Sequence, residues 1–295
     1  MTTPGLFLIG HGTRSEKGVR QFLAFCDAIA AARPGTPVGR GFIELVEPEL
    51  QEGIDRLVAE GVDQIIGIPL VLFGAGHMKD DGPVAMAKAR TRHPGLATAY
   101  GRELGTHPLV LAAVEKRARQ ADPGPADAVI VVGRGSSDPD ANADLAKAAR
   151  LLADSRGLGE GLAARTAWLP GGGRGANRLG LVEPAFVSLA APTVADALDH
   201  VHRLGARRIT VVPYFLFAGV LIDRIVEQAA AWAADIPGVA VSYGREIGVA
   251  GGLVDLVWQR YDETRGSPVA MNCDGCIYRA PLPGYEAQVG APPFG

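Results

Sequence analysis

AEGVDQIIGIPLVLF at residues 59–73 and RLGARRITVVPYFLF at residues 203–217 are one pattern written twice. Aligned at constant offset, they pair Gly61 with Gly205, Ile65 with Ile209, Pro69 with Pro213 and Leu72-Phe73 with Leu216-Phe217. Each continues past its glycine into an apolar run rich in β-branched or aromatic residues. A run that is apolar at every position fits a parallel strand buried on both faces. Downstream, HPGLATAYGREL (93–104) matches IPGVAVSYGREI (236–247). Upstream, FIEL (42–45) matches FVSL (186–189), with Pro48 and Pro192 following at equal distance, and LFLIGHGTR near the start matches AVIVVGRGS at 128–136. Four blocks in the same order make an internal repeat.

The stretches between these strands carry helical spacing. Residues 15–33 end at Arg33-Pro34-Gly35, and residues 48–60 open on Pro48 and stop at Gly61, the proline-in, glycine-out asymmetry of helix ends. Residues 106–121 and 138–155 are Ala-rich with mixed charge. Alternating strand and helix predicts α/β architecture, a doubly wound parallel sheet with helices on both faces, in each half. ADPGPAD (121–127) breaks the helical pattern, so the expected organisation is a lobe over 1–122, a second over 126–262 and a Pro/Gly-rich tail over 263–295. The second half carries an extra Gly-rich segment near 157–180: Gly10 to Phe42 spans 32 positions, Gly133 to Phe186 spans 53. It is either a lid over a site or an inert excursion.

Of 295 residues, 47% are hydrophobic and 21% charged, with net charge -3, an ordinary soluble composition that points to neither nucleic acid nor membrane. No apolar run reaches the roughly 18–20 residues of a membrane span, and MTTPGLFLIGHG lacks the basic start of a signal peptide. The expected location is cytoplasmic. Cys26, in QFLAFCDAIA, reads as a small buried hydrophobe.

In doubly wound sheets ligands bind beyond the carboxyl ends of the strands. His11 follows the first strand between Gly10 and Gly12, and His77 follows PLVLF after Gly74-Ala75-Gly76. Glu44 interrupts the apolar strand GFIEL, where a carboxylate is costly to bury unless paired. The repeat supplies a comparison: His11 aligns with Arg134, Glu44 with Ser188 and His77 with Leu221. All three differ together although the strands around them match. Residues needed by the fold would be needed twice, so these three read as one functional unit of the first half. Two imidazoles and a carboxylate suit a divalent transition metal with open positions, although a hydrolytic zinc site would use the same ligands. His93 reads as a loop residue, His107 as a helix terminus, and His200 and His202 as solvated helix residues.

HGTR after the first strand, FIEL with its Pro-initiated helix, and PLVLFGAGHMKDD together resemble the sirohydrochlorin chelatases, class II tetrapyrrole chelatases, across roughly residues 5–260. The resemblance implies two flavodoxin-like lobes facing each other across a cleft. It implies insertion of cobalt or iron, with nickel a third candidate, into sirohydrochlorin for cobalamin or sirohaem synthesis. His11, Glu44 and His77 are then the catalytic and metal-binding residues, and insertion must expel both pyrrole protons onto nearby bases. Metal binding needs neutral imidazole, so activity falls as pH drops below the histidine range. Arg14, Lys79 and Arg134 are candidates to hold substrate carboxylates, with Arg174 and Arg178 weaker ones. Some long members of this family carry a C-terminal M-x-C-x-x-C with an iron–sulfur cluster. Here only Cys273 and Cys276 stand together, short of the usual four ligands, so a cluster, zinc or a free pair all stay open. A protoporphyrin-type ferrochelatase and a non-catalytic metal- or tetrapyrrole-binding protein remain as alternatives, and both monomer and homodimer are compatible.

Overall fold

The computed structural model describes residues 2–124, 126–154 and 181–266. The Gly-rich segment near 157–180, with Arg174 and Arg178, and the tail with Cys273 and Cys276 lie outside the described residues. In chain order the first repeat contains β1 (Pro4–Gly10), α1 (Glu16–Ala32), β2 (Val38–Phe42), α2 (Leu50–Ala59), β3 (Gln64–Pro69), α3 (His77–Arg92), β4 (Ala97–Tyr100) and α4 (Pro108–Ala121). The second contains β5 (Ala128–Gly133), α5 (Pro139–Asp154), β6 (Leu181–Phe186), α6 (Val194–Arg203), β7 (Arg208–Pro213), α7 (Val220–Ala234), β8 (Ala240–Tyr243) and α8 (Gly251–Gly266).

Two four-stranded parallel sheets result, ordered β2-β1-β3-β4 and β6-β5-β7-β8. This is the flavodoxin-like order. The central strands are the continuous apolar runs: β5 is buried at every position and β1 at every position after Pro4. Strand alternation divides β1 between two layers. Phe7 and Ile9 pack with Leu50, Ile54 and Leu57 of α2 and with Met78, Met86 and Ala89 of α3. Leu6 and Leu8, fully buried, point to the opposite face. In the second unit Ile130, Val132, Val211 and Ile209 pack with Val194, Leu198 and Val201 of α6 and Ile225 and Ala229 of α7.

Two expectations are corrected. The run QIIGIPLVLF is strand only to Pro69. Leu70 and Leu72 are still buried, but their segment is a loop whose amides and carbonyls bond outward, Leu70 N to Ile9 O at 2.8 Å and Leu104 N to Val71 O at 3.0 Å. Apolar continuity reports burial, not extended backbone. The lobe boundaries also move. Among the described residues, those up to Gly105 pack with 249–266, and those of 106–248 form the other compact unit. Each repeat thus gives its last helix to the other unit, where 1–122 and 126–262 had kept it at home. Helical periodicity reveals that α4 and α8 have an apolar face, not which sheet that face covers.

Equivalent arginines fix both exchanged helices. Arg260 of α8, 5% exposed, donates from Nε to Glu103 O at 3.0 Å and from Nη1 to both Glu263 carboxylate oxygens at 3.0 Å. Arg117 of α4 donates from Nη2 to Ile247 O at 2.6 Å, in the matching GREI segment. Trp258 adds a hydrogen bond to Ile29 O at 3.0 Å, while Arg33 stacks 4.5 Å above its ring and pairs with Asp262. That guanidinium holds the Asp262 carboxyl below its usual range. Arg260→Ala removes the donor to the Glu103 carbonyl and leaves Glu263 with Arg102 alone, so it should cost about 2 kcal/mol in urea unfolding. Arg117→Ala, half-exposed, should cost less than half of that.

Candidate functional site

The row of strand ends β2-β1-β3 positions the three expected residues of the first unit. His11 is the first residue after β1, Glu44 stands two residues beyond β2, and His77 opens α3. Glu44 is therefore not inside a strand, as its sequence context suggested. It lies in a loop with its side chain 44% exposed, which removes the burial penalty. The parallel pairing of β1 and β2 nonetheless continues past the strands: Ile43 N donates to Gly10 O at 2.9 Å and Glu44 N to His11 O at 3.2 Å. Those two bonds lock the His11 and Glu44 backbones side by side. Gly12 turns the chain away with φ of 98°, so close to the Glu44 loop that a Cβ there would fall 1.8 Å from Glu44 O. Thr13 Oγ1 then accepts from Ser15 N, and Ser15 caps α1 by accepting from Gly18 N at 3.2 Å.

His11 Nδ1 and Glu44 Oε1 end 3.5 Å apart, on side chains 34% and 44% exposed. That is long for a strong charge-assisted hydrogen bond. It also suits two ligands of one ion, since donors at 2.0–2.2 Å with a tetrahedral angle lie about 3.4 Å apart. Among the described residues, no group of three or more His, Cys, Asp or Glu side chains is placed to hold a metal ion. The His77 side chain lies outside the described residues. A pair of donors from the described set binds a divalent ion more weakly than a closed cage does.

The second unit repeats this backbone with other side chains. Val187 N donates to Gly133 O at 3.0 Å, Ser188 N to Arg134 O at 3.1 Å, and Gly135, φ 84°, would place a Cβ 1.9 Å from Ser188 O. The Ser188 hydroxyl also donates to Arg134 O. The sequence comparison of the two halves is thereby a comparison of equivalent positions in space.

The remaining candidates separate. Arg14 and Arg134 are exposed. Lys79, expected beside them as a substrate cation, is 3% exposed, so its ammonium belongs to the interior of the unit instead of being offered to a large anion. Its position in the first turn of α3 put it near His77 in sequence, but the helix turns it inward with Met78. Cys26 is 2% exposed, and burial pushes its thiol up to about 12, which keeps it protonated and unfit to ligate metal. His93 bonds Asp55 at 2.6 Å as it caps α3, and His107 caps α4 by accepting from Leu109 N. His200 is exposed on α6, whereas His202 packs edge-on against Trp232. Sequence reasoning passed over Leu45 and Leu189, the shared last letter of FIEL and FVSL. Both adopt left-handed backbone, φ 68° and 62°, and both are exposed. No helix among the described residues is long and apolar enough to cross a membrane.

The chain is similar to known proteins. A sirohydrochlorin cobaltochelatase of Priestia megaterium is 31% identical over 280 residues, covering 93% of this chain and 84% of that protein. A sirohydrochlorin ferrochelatase of Bacillus subtilis is 28% identical over 239 residues, covering 80% of this chain and 83% of its own. Among solved structures, SirB from Bacillus subtilis with Fe3+ superposes with a TM-score of 0.73 at 26% identity, over 90% of this chain and 96% of that one. SirB of Bacillus subtilis subspecies spizizenii, in complex with cobalt, gives a TM-score of 0.69 at 28% identity. The CbiX family model matches residues 5–121 and, a second time, residues 128–264. Matched twice and over most of its length, the chain belongs to the CbiX family.

Proposed function

We propose that the protein is a chelatase that inserts a divalent metal ion, cobalt or iron, into sirohydrochlorin. The observation that carries this reading is the His11–Glu44 donor pair, set at 3.5 Å by a backbone that the second unit reproduces with Arg134 and Ser188 in its place. The full-length similarity to a sirohydrochlorin cobaltochelatase and a ferrochelatase supports the same substrate, with either metal.

In this reading His11 and Glu44 hold the incoming ion, and His77, at the start of α3 after the adjoining strand, is the third ligand. Neutral imidazole and ionised carboxylate bind the ion. As the ion passes to the ring nitrogens, the donors it vacates become free bases. They stand on the metal-entry side, where the two pyrrole N–H protons must leave. Proton acceptance and metal release are then one exchange at the same atoms. Too strong a site would keep the ion, so a small, half-exposed ligand set serves transfer better than a closed cage does. Arg14 and Arg134 are exposed cations at strand ends and pair with rim carboxylates of the macrocycle.

Arg134→Ala should raise the KM for sirohydrochlorin about three- to tenfold and change kcat by less than a factor of two, since it removes ground-state binding alone. An unchanged KM contradicts that role. The substrate assignment is tested by supplying sirohydrochlorin and protoporphyrin separately with Co²⁺ or Fe²⁺. Turnover is expected on the first, and preference for protoporphyrin overturns the assignment.

A further inference from the structure

We infer that Tyr100 is a positioning residue for metal insertion: through the Met78 carbonyl it fixes the first turn of α3, and with it the backbone of His77. The role rests on the function proposed above, which makes His77 a metal ligand. Tyr100 closes β4, the edge strand beside β3, and its hydroxyl donates to Met78 O at 3.0 Å. Met78 directly follows His77, and both partners of the bond belong to the first unit. The turn needs such a tie. It is entered from Gly74-Ala75-Gly76, and Gly76 at the N-cap, φ 39°, has no side chain with which to cap the first amides of the helix. Met78 N bonds Ala75 O at 3.0 Å and Lys79 N bonds Gly76 O at 2.8 Å, bonds that tie the turn back to that loop. The buried Met78 side chain presses the turn onto the core of the unit, but apolar contact is non-directional. A hydrogen bond to one carbonyl is directional.

Two residues of α3 are poor choices for a helix interior, and both bear on this contact. At Gly82 an added Cβ would fall 2.3 Å from Tyr100 Oη and 2.6 Å from Cζ, so the ring lies against the helix only because glycine is there. Pro83, the next residue, offers no amide to the Lys79 carbonyl, which interrupts the helix's own hydrogen-bond ladder just beyond the first turn. The second unit provides the contrast. Its α7, VLIDRIVEQAAAWAA, contains neither glycine nor proline. Aligned from one flank or the other, Gly82 falls against Ile225 or Val226. Tyr243, the counterpart of Tyr100, packs against the hydrophobic core of its unit. The tyrosine thus recurs, whereas the glycine notch accompanies His77 and is missing where Leu221 stands in its place. A tyrosine required by the sheet alone would need no notch in either unit. A ligand that must meet an ion held by other groups tolerates little error, since a misplacement of about 1 Å can cost 100-fold in rate. Tying the turn by its carbonyl removes that error while leaving the imidazole free of the tether.

The test is the dissociation constant of Co²⁺ for the full chain without tetrapyrrole, read by competition with a chromophoric indicator, in a double-mutant cycle. Tyr100→Phe keeps the ring on Gly82 and removes the hydroxyl alone. It should raise the Kd for Co²⁺ about five- to tenfold, and lower kcat for insertion about tenfold with the KM for sirohydrochlorin within about twofold of wild type. In a His77→Ala background the same substitution should change the Kd by less than about twofold, because no ligand remains for the turn to place. A wild-type Kd in Tyr100→Phe overturns the inference. So does an equal loss in the His77→Ala background, the mark of a tyrosine that serves only the fold. If His77→Ala itself binds Co²⁺ as the wild type does, His77 is no ligand and the inference falls with it. A wild-type chain that binds Co²⁺ but metallates no sirohydrochlorin contradicts the proposed function instead, and the cycle of Co²⁺ affinities still decides the part played by Tyr100.

Discussion

His11→Ala should lower the rate of metal insertion into sirohydrochlorin by about 100-fold or more while Tm moves by no more than about 2 °C. The fold has little stake in the side chain. What holds the His11 segment is its backbone, whose carbonyl accepts from Glu44 N, and alanine keeps that bond. The imidazole itself is 34% exposed and contributes the Nδ1 donor 3.5 Å from Glu44 Oε1. Without it, a single described carboxylate remains to receive the ion and the leaving protons. Affinity for metal-free sirohydrochlorin should be unchanged, because the proposed function assigns the macrocycle to Arg14 and Arg134. A His11→Ala enzyme that inserts metal at the wild-type rate would remove the residue from the site.

Gly12→Ala and Gly135→Ala should damage stability alike and activity unequally. Each adds a Cβ at a φ near +90° and within 2 Å of a backbone carbonyl, Glu44 O at 1.8 Å and Ser188 O at 1.9 Å. Neither carbonyl can give way without dragging its loop along, so each substitution should cost about 3 kcal/mol, or roughly 6–12 °C in Tm. The functional consequences then divide. Displacing Glu44 from His11 disrupts the donor pair, and kcat should fall about 100-fold in Gly12→Ala. The same displacement at Gly135 moves Ser188 from Arg134, and the loss should appear in KM with kcat within about threefold of wild type. Equal kcat losses in the two variants would contradict the division of metal handling and substrate binding between the units.

The repeat made much of this legible in the sequence. Apolar runs of β-branched residues located β1, β3, β5 and β7, because central strands of a parallel sheet are buried on both faces and leave no polar signal to dilute the pattern. The joint substitution of His11, Glu44 and His77 by Arg134, Ser188 and Leu221 isolated the candidate site, and the two strand-end loops carry the same backbone hydrogen bonds. What stayed hidden depends on long-range geometry. The exchange of α4 and α8 is decided by which sheet an amphipathic face covers, and Arg117 and Arg260 gave no local sign of the carbonyls they reach. Lys79 misled because proximity in sequence to His77 is not proximity in exposure on a helix. Glu44 looked buried because FIEL reads as strand, whereas the ladder ends at Phe42. Leu45 and Leu189 gave no sign in the sequence of the left-handed backbone they adopt.

The most direct test is a stopped insertion assay with purified protein, metal-free sirohydrochlorin and Co²⁺, Fe²⁺ or Ni²⁺ in turn, recording the spectrum of the ring and the protons released. With cobalt or iron, enzyme-dependent metallation should exceed the spontaneous rate and release two protons per ring filled. Tight binding of sirohydrochlorin with no acceleration for any of the three metals would contradict the account and make the protein a carrier of the tetrapyrrole.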